Sequence, residues 1–259
     1  MIQLIALLIL NGPAHRYFKD PAGVTFVYVP PGDYEMGNQN KPLEQHKVQL
    51  SGFWISITPI TNKQFEHLMP HHKRGKGTLR NNQPATNITF ADAMNYARLS
   101  QVKFGNHYRL PTAAEWEYAA RAGEAKYDFP WGNSEKKAPQ MSDYTDVSPA
   151  NVPSFPPNRF GLYNVTCEVE EWVLDDFFDG FINFKHRKEE VNPLFLNYNR
   201  HTNSGIVKSS YWGIFAPVFS FGFGYRDMGE KDCDFYGFRL VMTKQPTKFT
   251  KVFFKEHTT

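Results

Sequence analysis

The chain has 259 residues, with 29 Lys and Arg against 26 Asp and Glu, for a net charge of +3. That balance excludes the strong one-signed field of a nucleic-acid binder, and two Cys exclude a disulfide framework or a Cys-based zinc site. Aromatic residues make 16% of the chain, including 23 Phe, and a mean hydropathy of -0.52 fits a soluble globular protein. Disorder is excluded, because so many rings offset the entropy of ordering.

In chain order, Met1 to Leu10 is almost wholly apolar. It falls far short of the roughly 20 residues that span a bilayer, and no Lys or Arg precedes it as in a secretory leader. It is therefore predicted as a buried first strand. Val24 to Val29 reads as a strand, stopped by Pro30-Pro31-Gly32, and Phe53 to Ile57 as another. Thr61 opens a short helix with Gln64 at the capping-box position, and Pro70 ends it. Thr89 caps a second helix, with Phe90, Ala93, Met94 and Ala97 at helical spacing and Gly105 past its end. Thr112 caps a third, with Glu115 completing the box, Trp116, Ala119 and Ala120 as its buried stripe, and Gly123 as its stop. No long helical pattern follows. Short strands close the chain at Phe238 to Met242 and Phe249 to Phe254. No fixed-period repeat or linker divides it, so a single domain is expected over residues 1–259, and its class is α+β.

Tyr108 to Arg121 reads YRLPTAAEWEYAAR. This stretch resembles the formylglycine-generating-enzyme-like branch of the C-type lectin fold. Other segments agree in order. Tyr34-Glu35-Met36-Gly37 resembles the family's FxMG, and Pro59 to Phe65 resembles its EVTNxQY helix. Pro130-Trp131-Gly132-Asn133 matches PWGN, and Phe155 to Tyr163, following Ala150-Asn151-Val152, is close to FPPNxFGLY. Val169-Glu170-Glu171-Trp172 stands where the family has NVWEW; Ser209-Ser210-Tyr211-Trp212 resembles GGSW, and Gly237-Phe238-Arg239-Leu240 resembles GFRL. The resemblance covers about residues 22 to 243. It implies two main helices, short strands and long loops. The family holds copper oxidases, iron enzymes and non-enzymatic binders. Among the binders are variable proteins of diversity-generating retroelements, so the fold leaves function open.

The copper oxidases carry a Cys pair shortly after GGSW, because soft thiolate selects Cu(I). Here Ile214 and Phe219 occupy that region, no Cys lies between Trp212 and Cys233, and Cys167 stands where the NVWEW motif has a Gly. The iron enzymes use HxxxHxE. His67 and His71 keep the first part, but Pro70 interrupts it and Lys73 replaces Glu, so His67, His71 and His72 read as a solvated helix end. No nucleophile elbow or phosphate loop is present. The acidic cluster Glu168, Glu170, Glu171, Asp175, Asp176 and Asp179 reads either as charges balanced by Lys185, His186, Arg187 and Lys188 or, as the resemblance implies, as a structural calcium site with Asn151 nearby. No other cofactor is expected.

In place of catalytic residues stands an aromatic run: ten rings lie between Tyr211 and Phe238. Phe219-Ser220-Phe221-Gly222-Phe223-Gly224-Tyr225 alternates ring and small residue, so in a strand all four rings share a face. Two arrangements are open: the rings are core, or they form an exposed recognition patch. The resemblance places this stretch on the lectin-type binding face, with Trp212, Tyr225 and Phe238 as core. It implies a ligand-binding surface of Tyr211, Gly213, Ile214, Phe215, Phe219, Phe221, Phe223, Asp232, Asp234 and Tyr236, with Asp227 on its acidic rim. In these retroelements AAY codons are diversified at adenine, and residues 213–223 contain only amino acids such codons can reach. The expected function is non-enzymatic recognition of a protein or glycan on a cell surface, displayed from a cell or virus particle. The alternative is an oxidoreductase of the same family with an atypical active site. No nucleic-acid partner and no membrane span are expected. Residues 1–20 and 244–259 fall outside the resemblance and are expected to pack on the domain or build a self-association surface.

Overall fold

The computed structural model describes residues 15–37, 45–123, 148–165, 169–176, 189–197, 206–208, 236–244 and 247–254. The strand expected at Met1 to Leu10 lies outside them. The strands are β1 (Tyr17–Lys19), β2 (Thr25–Val29), β3 (Gly32–Met36), β4 (His46–Leu50), β5 (Phe53–Ser56), β6 (His107–Arg109), β7 (Glu170–Val173), β8 (Glu190–Val191), β9 (Pro193–Asn197), β10 (Ile206–Lys208), β11 (Tyr236–Phe238), β12 (Val241–Thr243) and β13 (Thr250–Phe254). The helices are α1 (Asn62–Glu66), α2 (Phe90–Phe104) and α3 (Ala113–Ala120).

The central sheet has the order β1-β2-β5-β12-β6, with every neighbouring pair antiparallel. Side chains alternate across it. Val27, Val29, Ile55 and Val241 face α3 and the β3–β4 hairpin, among Tyr34, Met36, Val48, Leu50, Trp116 and Tyr118. Phe26, Tyr108 and Met242 face α2, among Phe65, Ala93, Tyr96, Ala97, Trp172 and Phe238. The sheet therefore separates two apolar layers, each sealed by one main helix. Many of the chain's rings are consumed here: Phe65 stacks on Tyr96 at 5.2 Å, and Phe238 meets Tyr96 edge-on at 5.5 Å.

All three helices start on the predicted threonines, and each forms a reciprocal capping box, Thr61 with Gln64, Thr89 with Asp92 and Thr112 with Glu115. Gly105 closes α2 at a φ of 79°, the left-handed region a side chain would resist. Arg109 sits bidentate on Glu115 at 2.6 and 2.7 Å and also lies 4.9 Å from the Phe249 ring. The buried α3 pair Glu117–Arg121 clasps Gly37: Glu117 accepts from its N–H and Arg121 donates to its carbonyl, both at 2.9 Å.

One expectation needs correction. Phe238 to Met242 is not one strand. Tyr236–Phe238 belongs to the three-stranded sheet β10-β7-β11, whereas Val241–Thr243 belongs to the central sheet. Arg239 and Leu240 make the crossing, because the Arg239 side chain enters the interior between the sheets. Gly32–Met36 and His46–Leu50 form an antiparallel hairpin that their residue pattern does not announce. Their inward residues alternate, but Gly, Asp, Glu and Lys between them mask the pattern. β1 adds Tyr17–Lys19 to the sheet edge, so this part of residues 1–20 packs on the domain as expected. At the other end β13 pairs in parallel along the whole of β9, so the tail packs on the domain as expected.

Candidate functional site

The sheet β10-β7-β11 carries the site because of what it connects. β10 pairs antiparallel and β11 parallel with the same strand, β7. Residues 209–235, which hold most of the aromatic run, join β10 to β11. Both ends of that run are therefore fixed on either side of one short strand.

β7 is held from beneath by its acid. Glu171 is buried and receives Arg239 Nε at 3.0 Å on both carboxylate oxygens, with Trp116 Nε1 donating to Oε2 at 2.7 Å. The same guanidinium donates to the carbonyls of Ile57 (2.9 Å), Tyr163 (2.6 Å) and Asn164 (2.8 Å). Burial pushes the Glu171 carboxyl upward, and Arg239 and the Trp116 indole oppose it. The other face of β7 carries Trp172 and, at the start of the strand, Glu170. Trp172 is fully buried, donates its indole N–H to the Ile88 carbonyl at 2.8 Å, and meets Phe90 and Tyr236 edge-on. Gly237 lies so close to β7 that a Cβ there would stand 2.7 Å from Val169 Cγ1 and 2.8 Å from the Ala85 carbonyl oxygen.

Of the predicted binding residues, Tyr211, Gly213, Ile214, Phe215, Phe219, Phe221, Phe223, Asp232 and Asp234 lie outside the described residues, as do Trp212, Tyr225 and Asp227. Tyr236 is described. It is half-buried, in register with Glu170, with its ring 5.1 Å from that of Trp172. Phe238 is fully buried, as expected of a core ring.

Of the acidic cluster, Glu171 and Asp175 are described with separate partners. Glu171 is taken by Arg239 and Trp116. Asp175 accepts from the Ala113 N–H at the start of α3 (2.6 Å) and from the Phe195 N–H (3.0 Å). Both oxygens of each carboxylate accept from protein donors. Among the described residues no three His, Cys, Asp or Glu are grouped so as to hold a metal. Glu168 and Asp179 lie outside the described residues, and Asn151 is exposed. His67 and His71 are exposed. His72 is half-buried against Phe65, and burial lowers its pKa.

Within the acidic cluster Glu170 differs from Glu171 and Asp175 in having no side-chain hydrogen bond among the described residues. It stands where the family motif has its first Trp, beside the buried Trp172. Burial alone raises its carboxyl to about 7. The departure from the motif was the signal that could have found it.

No described helix is long and apolar enough to cross a membrane. The profile of the sulfatase-modifying factor enzyme 1-like domain matches residues 17–244. The chain is 35% identical over 182 residues to the formylglycine-generating enzyme of Mus musculus, covering 64% of this chain and 44% of that protein. It is 28% identical over 217 residues to the serine/threonine-protein kinase pkn1 of Chlamydia pneumoniae, covering 69% of this chain and 34% of that protein. It thus spans less than half the length of these two relatives. Among solved structures, Treponema denticola variable protein 1 superposes with a TM-score of 0.69 at 17% identity, over 89% of this chain and 99% of that one. PvdO from Pseudomonas aeruginosa superposes with a TM-score of 0.68 at 26% identity, over 87% and 97%. With its motifs in order and its profile matched across nearly the whole described structure, the chain belongs to the sulfatase-modifying factor enzyme 1-like family, in a C-type-lectin-like topology.

Proposed function

We propose that this protein is a non-enzymatic binder that presents the aromatic run of residues 211–236 as a recognition surface, in the manner of a retroelement variable protein. One observation carries the reading: a scaffold pins both ends of a run that keeps nine rings and no catalytic cysteine pair. The Glu171–Arg239–Trp116 hub immobilises β7, and β10 and β11 are fixed to it. Rings placed on such a frame bury much area at little rotamer cost. The ligand class is a protein or glycan on a cell surface. The reading requires no cofactor.

Two experiments test it. Sequencing clones of the coding DNA should find substitutions concentrated at adenines within codons 211–240 and a near-copy of that stretch close by. A uniform spread of changes and no near-copy speak against diversification. For the surface itself, Phe219→Ala, Phe221→Ala and Phe223→Ala should each weaken partner binding, by about 2 kcal/mol at a hot spot, with little change in stability. If each instead lowers folding stability by about 3–5 kcal/mol, the rings are core and the surface reading fails.

The identity of 35% to a formylglycine-generating enzyme favours a second reading, an oxidoreductase with an atypical site. Stoichiometric, tight copper or iron binding by the purified chain, with turnover of a thiol substrate under oxygen, would establish it over the binder.

A further inference from the structure

We propose that Glu170 and Tyr236 form a receptor for an arginine side chain of a protein partner, at the edge of the recognition surface. The proposal rests on the binding reading above and specifies the chemistry of its ligand.

Glu170 is unusual among the described acids. Glu66, Glu115, Glu117 and Glu171 each face a guanidinium. Glu170 is half-buried and has no hydrogen bond or ion pair of its own among the described residues. A carboxylate so placed is destabilised unless something cationic reaches it. Its position is open to such a ligand. It begins β7, sits in register with Tyr236 on β11, and shares the strand face of Trp172 two residues on. Tyr236 is half-buried too, and the register places the two residues on one face of the sheet.

A carboxylate beside an aromatic ring is a cation site of two parts. The acid supplies charge and hydrogen-bond acceptors, and the ring face attracts the cation through its quadrupole. A guanidinium suits both, because its planar fork can take two carboxylate oxygens while its face lies on a ring. Among the described residues no cationic group is paired with Glu170. Glu171 is on the other face with Arg239, and the backbone of Lys208 on β10 is in register with Glu171 rather than Glu170. The high carboxyl pKa, caused by desolvation alone, fits an acid awaiting a partner.

The test uses the full chain, isotopically labelled for NMR, with N-acetyl-arginine amide as probe and its neutral isostere N-acetyl-citrulline amide as control. The arginine derivative should shift the amide signals of Glu170–Trp172 and Tyr236–Phe238 saturably, and bind at least about tenfold more tightly than the citrulline one. Glu170→Gln, isosteric and uncharged, should erase that preference while keeping a folded spectrum. Tyr236→Leu should weaken it in part. Equal titration by the two probes on the unsubstituted chain overturns the proposal whatever the variants do, and so does an unchanged preference in Glu170→Gln. The Phe219, Phe221 and Phe223 variants separate the two readings. Should they leave partner binding intact while the arginine preference persists, the aromatic surface fails and the arginine site stands.

Discussion

Arg239 and Glu171 neutralise each other in the interior, with side chains 0% and 2% exposed and both carboxylate oxygens 3.0 Å from Arg239 Nε. The pair joins the last family motif to the strand that anchors the aromatic run. It also joins the core to two loops, since Arg239 donates to carbonyls of Ile57, Tyr163 and Asn164. Removing one partner leaves a buried charge uncompensated. Glu171→Gln and Arg239→Met should each lower stability by about 3–5 kcal/mol, and the double variant should lose less than the sum. Urea unfolding of the four proteins measures this. Strict additivity would show that the two side chains act independently.

Much of this architecture was legible from local chemistry. Thr61, Thr89 and Thr112 each announced a helix, because an N-cap hydroxyl and an acceptor three residues on satisfy donors that nothing else can reach. The Asp92 half of the second box is less legible, because Asp is a shorter partner than Glu or Gln. The strand Gly32–Met36 was hidden for a different reason. Its pairing with His46–Leu50 is set by a partner, whereas its own residues Gly, Asp and Glu have low strand preference. Phe238 and Val241 read as one apolar run, since nothing in a one-dimensional pattern shows a chain stepping between sheets around a buried arginine. At the site, the motif departure at Glu170 was visible, but its isolation from any cation is a three-dimensional fact.

Gly237 tests the close approach of β11 to β7. A methyl there meets Val169 Cγ1 at 2.7 Å and the Ala85 carbonyl oxygen at 2.8 Å, and the second contact is backbone that cannot rotate away. Gly237→Ala should therefore lower stability by about 1–3 kcal/mol through overpacking. Trimming Val169 to Ala in the same chain should restore only part of the loss. Full rescue by that trim would mean that the Ala85 contact costs nothing.

Glu170 gives stability a particular pH dependence. Its carboxyl rises from an ordinary value of 4.5 to about 7 in the folded chain. Between those values the folded protein holds a proton that the unfolded chain has released. Its contribution to stability therefore falls as pH rises through that window, is absent below it and reaches its full cost above it. Unfolding measured at pH 5 and pH 8 should show Glu170→Gln gaining stability relative to the unsubstituted chain at the higher pH. An identical difference at both values would place the carboxyl at an ordinary pKa.

The tail offers the last test. β13 runs parallel to β9 from Thr250 opposite Pro193 to Phe254 opposite Asn197. β9 carries Phe195, which is fully buried in the core layer that α3 seals. Just before β13, Phe249 lies 4.9 Å from Arg109, and Thr247 accepts from Arg109 at 3.1 Å. Arg109 in turn steadies Glu115 at the start of α3. Deleting residues 246–259 removes the ring over Arg109 and leaves β9 with an unpaired edge, a form that also invites association between copies. The truncated chain should melt at lower temperature, at roughly 2–4 °C for each ~1 kcal/mol lost, and light scattering should show a greater tendency to oligomerise. Unchanged melting and mass would mean that the β9–β13 pairing contributes nothing to the stability of the domain.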